Sequence, residues 1–75
     1  MKACVLVRVR PGTHQQVAKK IALFQGVKEA YPAMGTADVV VRVDVADLAA
    51  MTLLGTMIGD LQDVVTAETL IAAEV

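Results

Sequence analysis

Val27-Lys28-Glu29-Ala30-Tyr31-Pro32-Ala33-Met34-Gly35-Thr36-Ala37-Asp38-Val39-Val40-Val41-Arg42-Val43 lies between two stretches with helical spacing, and its reading decides the fold. Residues 27–34 read as an extended segment, in which Pro32 removes one ladder donor and so belongs on a sheet edge or at a bulge. Gly35-Thr36-Ala37 is a short turn, with Gly35 suited to a positive φ. Residues 38–43 alternate Asp38, Val40 and Arg42 against Val39, Val41 and Val43, the period-two pattern of a half-buried strand. The two runs make a hairpin.

On either side of this hairpin the hydrophobic period lengthens. Upstream, Pro11-Gly12 is a turn, and Thr13 with Gln16 three residues on fits a capping box. Val17, Ile21 and Phe24 then share one helical stripe, Gln15 and Lys19 face outward, and Gly26 supplies the stop. Downstream, Asp44 or Asp47 caps a second helix. Leu48, Met51, Leu54, Gly55, Ile58 and Leu61 cover one of its faces, and it ends within residues 59–62. Leu53 and Met57 fall on the flank of that face beside Ala50, which widens the apolar arc beyond what one sheet covers. Both residues are expected at a contact between subunits.

The outermost segments alternate again. In residues 2–10, Ala3, Val5, Val7 and Val9 occupy one face, and Lys2, Cys4, Leu6, Arg8 and Arg10 the other. In residues 64–72, Val65, Ala67, Thr69 and Ile71 oppose Val64, Thr66, Glu68 and Leu70. The order β-α-β-β-α-β with right-handed crossovers predicts an α+β, ferredoxin-like fold: a four-stranded antiparallel sheet with two helices on one face. A single domain over residues 1–75 accounts for the whole length.

Such a fold leaves one sheet face bare. Its expected residues, Cys4, Leu6, Val40 and Leu70 among Lys2, Arg8, Arg42 and Glu68, are too apolar for free contact with water. A domain of 75 residues buries only roughly 60% of its unfolded surface, yet 56% of this chain is hydrophobic, above the usual about 45–50%. Burial between subunits is the natural outlet, and Leu6, Val40 and Leu70 are expected to make a dimer.

Composition also narrows function. The apolar runs are far shorter than the roughly 20 residues that span a bilayer. Seven basic and eight acidic residues give a net charge of −1, with no basic cluster to neutralise phosphates. The start Met1-Lys2-Ala3-Cys4 lacks the pattern of a secretory signal, so a cytoplasmic location is expected. Cys4, the one cysteine, reads as a small packing residue, and His14, the one histidine, as a solvated or packed helix residue. No cofactor, metal or catalytic group is indicated. Asp38, which closes the turn and leads a strand of valines, is left with two readings: a turn-capping acid, or a carboxylate that holds a cationic ligand group by charge-assisted hydrogen bonds.

Gly26-Val27, Tyr31, Gly35-x-x-Asp38, the valine strand running into Asp44 and Asp47, and Gly59-Asp60-Leu61 leading to Val64 and Thr69 together resemble the effector-binding (RAM) domain of the Lrp/AsnC regulators. The likeness covers nearly the whole chain. It implies a βαββαβ fold, dimers formed through facing sheets, and dimers assembled into an octamer or similar ring. Small effectors, usually amino acids, would bind between dimers near the hairpin. Gly35 and Asp38 match the family's hairpin motif, flanked by Thr36, Ala37 and Tyr31, and Thr69 matches a threonine of the last strand. The chain differs in carrying Ala67 where a second threonine is usual, and Glu68 where a basic residue is usual. Full-length members open with a helix-turn-helix domain, whereas this chain opens at its first strand, so the resemblance implies a stand-alone regulatory domain that does not itself bind DNA. Two rivals differ in class. One is a module that co-assembles with full-length Lrp/AsnC regulators; the other is a small ferredoxin-like enzyme, for which only Tyr31 and His14 are available.

Overall fold

The computed structural model describes residues 1–73. It contains β1 (Lys2–Val9), α1 (His14–Ala22), β2 (Val27–Pro32), β3 (Val39–Asp44), α2 (Leu48–Gly59) and β4 (Val64–Ile71). The strands form one antiparallel sheet in the order β2-β3-β1-β4. This is the α+β ferredoxin-like arrangement that the alternating and helical periods predict.

Alternation decides which side of the sheet is buried. Ala3, Val5, Val7 and Val9 of β1 stand opposite or beside Val39, Val41 and Val43 of β3, and all seven are at most 6% exposed. Val17, Ala18 and Ile21 of α1 and Met51, Leu54 and Ile58 of α2 close the same cluster from above. At about 1.5–3 kcal/mol per fully buried aliphatic side chain, this one layer supplies most of the drive to fold. The opposite sheet face has no helix over it. Cross-strand rows there run Tyr31–Val40–Leu6–Glu68 and Glu29–Arg42–Cys4–Leu70.

Several local expectations are corrected. Thr13 precedes α1 but makes no capping bond; its hydroxyl donates instead to the Arg10 carbonyl at 2.7 Å, which fixes the Pro11-Gly12 turn. Gly26 does not stop α1, because the helix has already ended at Ala22 and closed through Leu23 and Phe24 N–H bonds. Its φ of +94° serves the turn into β2, where a Cβ would lie 2.8 Å from Val45 Cγ1. Asp47, not Asp44, caps α2, accepting from the Ala50 N–H at 2.9 Å. Leu48 is 58% exposed rather than buried.

β4 departs most from strict alternation. Arg8 faces Thr66 but Val9 faces Val64, so Val65 is an extra residue, a bulge. The slip moves Val64 to the helix side, where it packs on the core, and leaves Val65 62% exposed. Beyond Val64, every residue of β4 is exposed. Pro32 sits where its missing donor predicts, at the end of the edge strand β2.

Candidate ligand-binding site

The hairpin between β2 and β3 is a short platform tied down at its base. The Ala33 N–H donates to the Asp38 carbonyl and the Asp38 N–H to the Val7 carbonyl, each at 2.8 Å. Arg8 Nη1 donates to the Thr36 carbonyl at 3.0 Å. Above this base, Met34 is fully exposed and Gly35, at φ +131°, has open space where a side chain would stand. Only glycine adopts that backbone without strain. Ala37 turns inward and is buried. Among the described residues the N–H groups of 34–37 make no internal hydrogen bond, so they remain available to an acceptor.

Asp38 is the electrostatic centre of this platform. Its Oδ2 accepts from the Val9 N–H at 2.9 Å, and its Oδ1 lies 3.4 Å from His14 Nε2. The Val9 hydrogen bond holds the carboxyl below the ordinary aspartate range, partial burial opposes that shift, and the nearby Arg8 and His14 reinforce it. Asp38 is therefore ionised at neutral pH and stitches the end of β1 and the first turn of α1 to the hairpin. Oδ1 keeps unused acceptor capacity, since 3.4 Å is long for a charge-assisted bond.

The other residues singled out in the sequence lie in different places. Tyr31 stands across from Val40 on the bare sheet face, 45% exposed, and so belongs to the row of Leu6 rather than to the Asp38 platform. Thr69 stands across from Val5 on the helix side of β4. It lines a groove of about 320 Å3 between β4 and α2. Asp38 and Thr69 are separated by β1 and by several residues along the sheet, which places them roughly 14 Å apart at the usual strand spacing and rise.

Leu53 and Met57, 62% and 41% exposed, flank an apolar groove of about 450 Å3 that reaches Gly26 and Val45. Leu6 and Val40 sit side by side on the bare face, with Leu70 49% exposed beside Cys4. Sequence reasoning misses the partners of Asp38: His14, Arg8 and the Val9 N–H are 24 to 30 residues away in the chain, and no local motif links them. Among the described residues no three metal-binding side chains gather, and no helix is long and apolar enough to cross a membrane.

Residues 2–75 match the family described as the Lrp/AsnC ligand binding domain. No curated protein matches the chain. Among solved structures, TTHA0845 from Thermus thermophilus is 32% identical, with a TM-score of 0.91 over 99% of this chain and 94% of that one. The hypothetical protein PHS023 from Pyrococcus horikoshii is 27% identical, with a TM-score of 0.87 over 97% and 89%. E. coli AsnC shares the fold at 19% identity and a TM-score of 0.85; the match covers 97% of this chain but half of that protein. The family is one of regulatory ligand-binding domains rather than enzymes, and with its model matched from residue 2 to residue 75 the chain belongs to the Lrp/AsnC ligand-binding domain family.

Proposed function

We propose that the chain is a regulatory domain that binds a small effector, an amino acid, between subunits of a homo-oligomer, and that it acts in transcriptional or metabolic regulation without contacting DNA itself. The observation that carries this reading is the Asp38 platform, a carboxylate with spare acceptor capacity beside the unpaired N–H groups of residues 34–37, and the separation of Asp38 from Thr69 bears on where a site shared by both would lie. An amino acid is too short to bridge roughly 14 Å within one subunit. A site that uses both needs the hairpin of one copy set against the α2–β4 side of another. In that arrangement Asp38 Oδ1 accepts from the α-ammonium, and the unpaired N–H groups around Gly35 receive the carboxylate, as backbone nests do for anions.

Two kinds of surface serve the assembly. The bare sheet face with Leu6, Val40 and Leu70 makes the dimer, and the α2 flank at Leu53 and Met57, with the hairpin, joins dimers into an octamer or similar ring. An effector held between dimers favours the larger assembly by its differential affinity for the two states.

A thermal-shift screen of the twenty amino acids, run beside native mass determination, tests the proposal. At least one amino acid should raise the melting temperature of the wild type and increase its mass, and Asp38→Ala should abolish both responses. Equal stabilisation of the two proteins would remove Asp38 from the site.

A further inference from the structure

We infer that the groove between α2 and β4 receives the side chain of the effector and selects a small, uncharged one. The inference rests on the ligand-binding reading above and assigns to that site its class of ligand. Thr52, Gly55 and Thr56 of α2 form one wall, Ala67 and Thr69 of β4 the other, and the buried Met51 lies at the base. Among the described residues no ionisable side chain lines it. Glu68, the nearest acid in sequence, stands across from Leu6 and so belongs to the opposite sheet face.

The polar groups in the groove are neutral hydroxyls in two states. Thr52 donates to the Leu48 carbonyl and Thr56 to the Thr52 carbonyl, each at 3.0 Å, so their protons are spent and only acceptor lone pairs remain. Thr69 Oγ1 has no hydrogen-bond partner among the described residues and keeps both donor and acceptor capacity. Gly55 faces it directly: a Cβ there would sit 3.6 Å from Oγ1, so the glycine leaves the approach to that hydroxyl open. An ammonium, guanidinium or carboxylate placed here would shed water and meet no counter-charge. A short aliphatic group packs on Ala67 and Met51, and a hydroxyl also finds Thr69.

The probes are L-threonine, L-valine, L-lysine and L-glutamate, titrated calorimetrically into the wild type, Thr69→Val, Gly55→Leu and Asp38→Ala, with circular dichroism as the check on folding. Wild type should bind threonine and valine at least about ten-fold more tightly than lysine or glutamate. Thr69→Val, which keeps the side-chain volume, should erase any preference for threonine over valine. Gly55→Leu fills the groove and should weaken both. Lysine or glutamate binding as tightly as valine overturns the inference while leaving the amino-acid site in place, as does an unchanged threonine-to-valine ratio in Thr69→Val. Failure of all four to bind the wild type overturns the inference, and if the twenty-amino-acid screen is also silent the ligand-binding reading falls with it.

Discussion

Asp38 shows how one side chain does structural work and presents a charge at once. Because its carboxyl is held below the ordinary range of about 3.9, its contribution to stability is complete above about pH 5 and is lost as the pH falls through the depressed native value. The free-energy difference between wild type and Asp38→Asn in urea titrations should shrink steadily as the pH falls below about 4. A difference that grows as the pH falls below about 4 would contradict the Val9 hydrogen bond. Gly26 makes a steric prediction of a different kind. Gly26→Ala meets both a positive φ and the Val45 methyl at 2.8 Å, whereas Gly35→Ala meets only the φ. Each strained backbone costs about 1–3 kcal/mol, and the clash adds to it, so Gly26→Ala should lower the urea midpoint further than Gly35→Ala. Gly35 is legible in the sequence because a turn separates two strands; Gly26 reads as a helix stop because sequence order does not reveal that Val45 closes over it.

At the scale of elements, the buried stripes are legible wherever the period is regular. Val5, Val7, Val39, Val41 and Val43 alternate without interruption, and all are at most 1% exposed. Alternation puts Val64 on the wrong face because a bulge leaves no mark in a run of β-branched residues, and only the pairing with Val9 reveals it. The Thr13 capping box fails for a competing reason. The hydroxyl has a nearer acceptor, the Arg10 carbonyl, and local bonds of threonine to its own turn displace helix caps. The acids at 44 and 47 are equivalent on paper and differ in space. Asp47→Ala should lose about 1 kcal/mol in urea unfolding, with Asp47→Asn restoring most of it. Asp44→Ala, whose carboxylate touches only the exposed terminal amine at 3.4 Å, should stay within about 0.5 kcal/mol of wild type.

At the scale of the whole molecule, the structure exposes more than a monomer of its mass should. Its accessible surface is 4974 Å2, against about 4,400 Å2 for a typical folded monomer of this mass. The excess includes apolar side chains in two separate regions, Leu70 on the bare sheet face and Leu53 and Met57 on the α2 flank. A standard interface removes about 800 Å2 from each partner, close to a sixth of this surface. The sheet face suits that task because Leu6 and Val40 lie side by side there, within a frame of mixed charge that two-fold pairing can match. Leu6→Lys puts a charge at the centre of this patch, where desolvation is costly even with Glu68 across the strand, and should yield monomers in sedimentation equilibrium at micromolar concentration. Met57→Lys acts at the other surface and should leave the dimer intact while removing larger species. The two surfaces are separable only if those outcomes differ: a Met57→Lys protein that falls to monomers, or a Leu6→Lys protein that keeps the full assembly, would mean that the sheet face is not the dimer interface.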